Sequence, residues 1–233
     1  MRIDILTLFP QQVDDFLRYS IIGRAREKGL VEVVCTDIRD YSKDKHHKVD
    51  DRPFGGGPGM VLRPEPVVEA VEAVEAKDER RATRILLTPK GRPLTQAKVR
   101  ALAGEERLLI IAGHYEGFDE RIRLLLGPTE ISIGDFVLSG GEPAAAVLVD
   151  AVVRLREGVL GDEESLAEES FAGDESLLEY PQYTRPRIYR GLAVPEVLIS
   201  GDHARVTAWR RDQARERTRI SRPDLLEPDG END

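Results

Sequence analysis

Three apolar runs follow one another along the middle of the chain, and each leads directly into a loop rich in glycine or proline. The runs are residues 84–88, 108–112 and 129–133. Continuous apolar strands that alternate with helices are typical of a parallel sheet buried on both faces. In such sheets the loops beyond the carboxyl ends of the strands meet at one edge. The pattern therefore predicts an α/β fold with a ligand site where the three loops converge.

The third of these loops constrains the backbone most. In ISIGDFVLSGGEP at 131–143, Gly140 and Gly141 permit positive φ and close backbone approach, and Pro143 suits the first turn of a helix. No G-x-G-x-x-G follows the first strand and no G-x-x-x-x-G-K-[ST] occurs, so the usual dinucleotide and triphosphate loops lack their signature. Backbone recognition of a nucleoside-like ligand remains open.

The rest of the N-terminal region continues the same alternation. Apolar runs predict strands at 2–8 and 30–36, and periodic apolar residues predict helices that begin at Pro10 and that span 64–76, 94–103 and 143–156. Val13, Phe16 and Leu17 are predicted to share one apolar face. Arg154, near the end of the last of these helices, has two interpretations: it satisfies terminal carbonyl groups, or it faces an anion.

Residues 39–60 interrupt this regular pattern. The segment 39–52 is too polar to form core, and PFGGGPGM at 53–60 predicts a long loop rather than a helix or paired strand. Adjacent His46 and His47 do not match the spacing of metal ligands, so a metal site here is not favoured. Two interpretations remain: a basic, glycine-rich loop that touches a polyanion, or a solvated loop.

Composition predicts a protein of the cytoplasm. The first apolar run carries charge, and the longest later run, 144–153, contains Asp150 and is too short to span a bilayer. Neither a signal peptide nor a membrane span is therefore expected. The single cysteine, Cys35, excludes an intrachain disulfide and is predicted to be a small buried residue.

The net charge of −9 hides a strong asymmetry. Residues 161–180 hold eight acids and no Lys or Arg, residues 181–222 hold ten Arg and four acids, and residues 223–233 hold five acids. A helix predicted at 204–218, with Asp202 as its N-cap, carries Arg211, Arg215 and Arg219 at i+4 spacing. This stripe either contacts phosphates or is a solvated face paired with nearby acids.

Eight ordered sequence blocks together resemble one family, the bacterial tRNA (guanine-N1)-methyltransferases that modify position 37. These enzymes belong to the SPOUT superfamily. The blocks cover nearly the whole chain: MRIDILTLFP at 1–10, DDRPFGGGPGM at 50–60, LTPKGRPLTQ at 87–96, GHYEGFDERI at 113–122, ISIGDFVLSGGEP at 131–143, VLGDEESLAEESF at 159–171, YPQYTRP at 180–186 and GLAVPEVLISGDH at 191–203.

The resemblance implies a mostly parallel sheet with helices on both faces, a deep trefoil knot and a small helical C-terminal domain. It implies three regions: a knotted catalytic domain at 1–160, an acidic linker at 161–180 and an Arg-rich tRNA-binding domain at 181–233. The knotted loops would bind S-adenosylmethionine through residues that match the family's pattern: Leu87, Pro89, Gly113, Tyr115, Glu116, Gly117, Ile133, Gly134, Phe136, Leu138, Gly140, Gly141 and Pro143.

The chemistry of guanine methylation requires a base and a cation, because N1 carries a proton and negative charge spreads to O6 when that proton leaves. The resemblance assigns the base to Glu169 and the cation to Arg154. Two departures stand out. Glu169 replaces the usual Asp, which leaves Glu168 as an alternative base, and His114 replaces the Arg more often found there.

The resemblance also implies partners. It predicts a homodimer whose active site combines cofactor loops of one subunit with the linker of the other, and it implies Mg²⁺ at a location that the sequence does not give. RNA contacts are predicted at Arg52, Gly55, Gly56, Gly57, Arg185, Arg211, Arg215 and Arg219. The alternatives are a related SPOUT enzyme with another RNA target and a non-catalytic RNA-binding protein.

Overall fold

A five-stranded parallel sheet organises the N-terminal unit of the protein, described here from a computed structural model. The structure describes residues 1–161, 168–173 and 175–226, and it divides into the units Met1–Gly161 and Asp162–Asp233. Residues 162–167, 174 and 227–233, which belong to the predicted linker and C-terminal domain, lie outside the described residues. The separate roles predicted for those two regions remain predictions.

The N-terminal unit alternates strands and helices along the chain. The sheet strands are β1 (Arg2–Thr7), β2 (Glu32–Asp37), β5 (Thr83–Pro93), β6 (Arg107–Ala112) and β7 (Thr129–Ser132). They lie in the order β2-β1-β6-β5-β7, and Asp50–Asp51 (β3) pairs with Val61–Leu62 (β4) in a separate short ladder. The helices are α1 (Pro10–Phe16), α2 (Ser20–Glu27), α3 (Pro64–Glu75), α4 (Gln96–Ala103), α5 (Glu120–Leu126) and α6 (Glu142–Val153).

The sheet is covered on both faces, which explains its continuous apolar strands. All six residues of β6 are buried. Leu108 and Ile110 pack in a core with α1, α2, α4 and α6, whereas Leu109 and Ile111 pack on the opposite face against α3 and α5. Alternate side chains of a strand point to opposite faces, so both must be apolar here. The predicted α/β class with a mostly parallel sheet is confirmed; the knot remains what the family resemblance implies.

Strand β5 differs from its prediction, because residues 89–93 continue the strand rather than forming a free loop. Its pairing with β7 shifts register between Leu87 and Arg92, so the intervening residues bulge out and the strand then resumes. Gly91 permits this course, since a Cβ there would lie only 2.5 Å from the backbone N of Ile131. The first loop therefore lies against β7.

Two predictions about the core were wrong. Phe16 is 63% exposed, whereas Val13 and Leu17 are buried; α1 ends at Phe16, and the i, i+4 pair alone covers the sheet. Val49 lies in the segment considered too polar for core, yet it is 2% exposed. It packs beneath α3 because the short β3–β4 ladder brings it to the sheet.

Cys35 is partly buried rather than fully buried. Desolvation raises the pKa of its thiol to about 11, so the sulfur stays protonated and weakly nucleophilic at neutral pH. In the part of the chain that the structure describes, no helix is both long and apolar enough to cross a membrane.

The C-terminal unit is built around one long helix. A hairpin of β8 (Ile188–Tyr189) and β9 (Leu192–Ala193) precedes α7 (His203–Ser221). The Asp202 side chain accepts a hydrogen bond from the backbone N of Arg205 at 3.1 Å, so the predicted N-cap is confirmed. Ala214 and Thr218 form the buried stripe of α7.

Candidate active site

The three predicted loops converge on one cavity of about 210 Å³ at the carboxyl ends of β5, β6 and β7. Pro143 lies in the first turn of α6 and does not line it. The lining includes the other twelve residues predicted to bind the cofactor: Leu87, Pro89, Gly113, Tyr115, Glu116, Gly117, Ile133, Gly134, Phe136, Leu138, Gly140 and Gly141. The sequence therefore placed the three loops together without any motif of a known ligand.

Glycine is required where two of these loops touch. Gly141 N donates to Gly113 O at 2.7 Å, and a Cβ on Gly141 would lie 2.8 Å from Gly113 N and 2.9 Å from Ala112 Cα. Those neighbours are backbone atoms, which cannot move aside cheaply. The close approach fixes the third loop against the second and shapes the floor of the cavity.

Substitution of Gly141 tests that contact. In Gly141→Ala the loops must separate, at a cost of about 1–3 kcal/mol. We expect the Kd for S-adenosylmethionine, the ligand that the sequence resemblance implies, to rise about 10-fold. Gly104→Ala is the matched control, because a Cβ there meets only Ala101 O at 3.4 Å. Isothermal titration calorimetry of both variants measures the effect. Equal affinity of Gly141→Ala and wild type would contradict the role of the contact.

A buried carboxylate that the sequence analysis missed braces the cavity. Glu142 is 4% exposed, and its Oε1 accepts a hydrogen bond from Thr7 Oγ1 at 2.6 Å. Its Oε2 lies 3.7 Å from His114 Nδ1. His114 also packs against the rings of Phe9 and Tyr115, each with centroids 5.2 Å away. Glu142 thus links the end of β1, the second loop and the start of α6.

The glycine-rich loop at 53–60 contacts residues that line the same cavity. Glu116 N donates to Met60 O at 3.0 Å, and Leu62 N donates to Gly117 O at 2.9 Å. A Cβ on Gly59 would lie 2.3 Å from Glu116 Oε1. The exposed predicted RNA-contact residues Arg52, Gly55, Gly56 and Gly57 are therefore carried by a loop anchored beside the predicted cofactor site.

Arg154 lies at the opposite edge of the sheet from this cavity. It follows Val153 as the C-cap of α6, whereas Ala144, near the start of that helix, lines the cavity. The two residues are separated by about 15 Å along the helix axis. Arg156, two residues on, donates to Ala103 O at 2.6 Å, just before β6 begins. Arg154 therefore does not reach the cavity of its own chain.

The described part of the linker folds back on itself. Phe171 N donates to Leu177 O at 2.8 Å, and Ala172 N donates to Glu169 O at 3.0 Å. Glu169, the predicted base, is partly buried in this turn. The other candidate, Glu168, contacts Arg210, with Oε2 3.1 Å from Nη1. The turn therefore presents the two carboxylates in different surroundings.

The arginine stripe of α7 is paired with acids. Glu175 Oε1 accepts from Arg211 at 2.7 Å and from Arg215 at 2.9 Å, and hydrogen bonds from these two guanidinium groups lower the pKa of Glu175. Arg219 pairs with Glu216 at 2.7 Å. Arg185 lies exposed before the hairpin. The pairing of Arg219 with Glu216 matches the interpretation as a solvated face paired with nearby acids. The partner of Arg211 and Arg215 is instead Glu175, in the segment predicted to be the linker.

Other parts of the structure offer less for chemistry. A cavity of about 730 Å³ lies at the amino edge of the sheet, but its walls are already ion-paired through Arg84 with Glu75 and Arg80 with Asp78. Among residues 1–161, 168–173 and 175–226, no group of three or more His, Cys, Asp or Glu side chains could hold a metal ion. The described residues therefore give no location for the implied Mg²⁺.

A parallel sheet whose three glycine-bearing loops close on one cavity defines an α/β protein that binds a small ligand at the carboxyl edge of its strands. The family model described as "tRNA (Guanine-1)-methyltransferase TrmD" matches residues 1–228. The chain belongs to this family. The resemblance inferred from the eight sequence blocks is thus confirmed.

Relatives agree over nearly the full length. A tRNA (guanine-N(1)-)-methyltransferase of Dehalococcoides mccartyi is 55% identical over 97% of this chain and 91% of its own length. Enzymes of the same name from Moorella thermoacetica and Rhodopirellula baltica are 56% and 52% identical, over 97% and 100% of this chain and 90% and 96% of their own lengths.

Proposed function

We propose that the protein transfers a methyl group from S-adenosylmethionine to N1 of guanosine 37 in tRNA. The observation that carries this proposal is the glycine-lined cavity at the carboxyl ends of β5, β6 and β7, in a chain of the TrmD family. Its relatives carry the name tRNA (guanine-N(1)-)-methyltransferase. The proposed tRNA substrate supports a location in the cytoplasm.

The cavity suits the methyl donor by its chemistry. Glycines at 113, 140 and 141 line the cavity and present only backbone of their own, which favours recognition of an adenosine group by amides and carbonyls. Leu87, Ile133 and Leu138 supply apolar surface, and Glu116 supplies negative charge for an ammonium group. S-adenosylmethionine supplies an electrophilic methyl group on a sulfonium.

The chain's own residues prepare the nucleophile. The Glu169 carboxylate accepts the proton of guanine N1, and the Arg154 guanidinium stabilises the negative charge that develops on O6. The resemblance assigns the base to Glu169, because it is the carboxylate directly before Ser170-Phe171. Glu168 accepts hydrogen bonds from Arg210 and Tyr180. No step is assigned to Mg²⁺.

The position of Arg154 supports a site shared between two chains. Arg154 lies at the amino edge of the sheet and the cavity lies at the carboxyl edge, so one chain cannot bring them together along α6. In a homodimer, the cavity of one subunit would meet Arg154 and the linker of its partner. The exposed apolar side chains Phe16, Tyr19 and Val147 on this unit provide surface for such a contact.

RNA contacts are proposed for two separate segments, residues 52–57 of the N-terminal unit and the arginines of the C-terminal unit. Phosphates would replace Glu175 as the partner of Arg211 and Arg215. The double substitution Arg211→Ala, Arg215→Ala is expected to weaken tRNA binding and to reduce the slope of log K against log salt concentration by about 2. Filter binding at several salt concentrations measures that slope; an unchanged slope would remove these arginines from the RNA interface.

Labelled methyl transfer tests the proposed reaction. The substrate is a tRNA transcript with guanosines at positions 36 and 37, and the matched control lacks guanosine 37. Label in the first transcript only is the expected result. Equal label in both would indicate a related enzyme with another target, and RNA binding without S-adenosylmethionine binding in equilibrium dialysis would indicate a non-catalytic protein.

A further inference from the structure

Glu168, Tyr180 and Arg210 form a closed cluster in the C-terminal unit. The Tyr180 hydroxyl donates a hydrogen bond to Glu168 Oε2, and Arg210 Nη1 donates to the same carboxylate at 3.1 and 3.3 Å. The Arg210 guanidinium also lies over the Tyr180 ring, with Cζ 4.6 Å from the centroid. Each of the three side chains therefore contacts the other two.

The cluster ties together the two ends of the turn that contains Glu169. Glu168 immediately precedes Glu169, and Tyr180 is twelve residues further along the chain than Glu168. On the other side of Glu169, the Ser170 hydroxyl accepts a hydrogen bond from Glu179 N at 3.0 Å. Both neighbours of Glu169 are thus hydrogen-bonded to the same segment of the chain, residues 179–180.

The turn is also attached to α7. Leu178 N donates to Thr218 Oγ1 at 2.9 Å, and Thr218 is fully buried. Tyr180 is 9% exposed, and burial together with the bond to Glu168 raises the pKa of its phenol. The hydroxyl therefore remains protonated at neutral pH and continues to donate to Glu168.

We propose that Glu168, Tyr180 and Arg210 are positioning residues that hold the Glu169 carboxylate in the orientation required to accept the proton of guanine N1. This inference rests on the proposed function. A carboxylate on an acidic chain segment without such anchors would sample many orientations, and its ordering would oppose the reaction. Hydrogen bonds to both of its neighbours instead restrict the backbone of Glu169.

Tyr180→Phe and Glu168→Gln test the cluster with little change in shape. Each is expected to lower kcat about 10- to 100-fold, the loss expected when a reacting group is displaced by about 1 Å. KM for tRNA and for S-adenosylmethionine should stay within about 2-fold of wild type, because neither side chain is assigned a contact with either molecule. Glu179→Gln is the matched control, since that carboxylate accepts only from Gln182 at 2.6 Å among the bonds of the described residues, and it should keep the wild-type kcat.

The double variant Glu168→Gln, Tyr180→Phe adds a second readout. If the residues act as one unit, its kcat should equal that of the slower single variant rather than the product of the two effects. Thermal unfolding of each variant should match wild type, which separates positioning from loss of folded protein.

The outcomes distinguish this inference from the proposed base. If Glu169→Gln abolishes turnover while Tyr180→Phe and Glu168→Gln both keep the wild-type kcat, the positioning role is overturned and the base assignment stands. If Glu169→Gln remains active while the cluster variants are slow, the positioning role is overturned as well, because the cluster then acts on another group.

Discussion

Glu169→Gln is expected to lower the rate of methyl transfer by about 10²- to 10⁴-fold, the usual contribution of a general base. The amide has nearly the same shape as the carboxylate, but it cannot accept the proton of guanine N1. Binding of S-adenosylmethionine should remain at the wild-type level, because the loops that line the cavity do not include Glu169. Single-turnover transfer of labelled methyl groups at saturating tRNA measures the chemical step directly.

The comparison with Glu168→Gln shows which carboxylate is the base. Loss of transfer should be larger for Glu169→Gln than for Glu168→Gln, because we assign the reacting atom to the former and a positioning contact to the latter. Glu169→Asp, which keeps the acid, should retain more activity than Glu169→Gln. Turnover of Glu169→Gln at the wild-type rate would exclude it as the base.

Arg154→Ala is expected to reduce methyl transfer by about 10²- to 10³-fold, as for the loss of one group that stabilises developing negative charge. Cofactor affinity should be unchanged, because Arg154 is assigned to O6 of the guanine and is not among the residues that line the cavity. Arg156→Ala provides the matched control: it removes a neighbouring arginine whose Nη1 donates to Ala103 O at 2.6 Å. The control is expected to affect stability rather than kcat.

Single-turnover assays and calorimetry with S-adenosylmethionine separate the two effects in Arg154→Ala. A variant that loses cofactor binding in proportion to activity would contradict the assigned role, because the guanidinium would then support the cavity rather than the reacting base. Retained binding with retained transfer would show that O6 charge is stabilised by another group.

The sheet and its converging loops followed from local sequence because each depends on short-range patterns. Continuous apolar runs can be satisfied only by burial on both faces, and parallel order then puts the carboxyl ends together. The Asp202 N-cap could be predicted for the same reason, since it depends on one residue and the three that follow. The individual residues of the cavity lining came from the family resemblance, whereas the topology predicted only that the three loops would meet.

Contacts between residues distant in sequence could not be predicted in this way. Nothing near Glu142 indicates that Thr7, 135 residues earlier, donates to it. Likewise Glu175 is one of eight acids in the segment 161–180, and its pairing with Arg211 and Arg215 depends on how that segment folds onto α7. The local sequence shows only that Glu142 follows a glycine pair and precedes the proline of a predicted helix start, and this does not identify its partners.

The location of Arg154 changes the role that can be assigned to the loop at 131–143. The sequence alone places Arg154 on the helix that follows this loop, which suggests that the loop and Arg154 of one chain belong to the same site. The helix instead carries Arg154 away from the cavity, to the opposite edge of the sheet. One chain therefore carries the cavity and, at the opposite edge of the sheet, Arg154, and the proposed homodimer would bring Arg154 to the cavity of a partner.

Complementation between inactive chains tests that central claim most directly. Chains with Glu169→Gln keep an intact cavity, and chains with Gly141→Val keep an intact linker and Arg154 but have a blocked cavity. Mixed dimers contain one complete site only if the cavity and the base come from different subunits. Random reassortment is then expected to restore about a quarter of wild-type activity. Activity no higher than that of the separate parents, in a mixture shown to have exchanged subunits, would contradict a site shared between two chains.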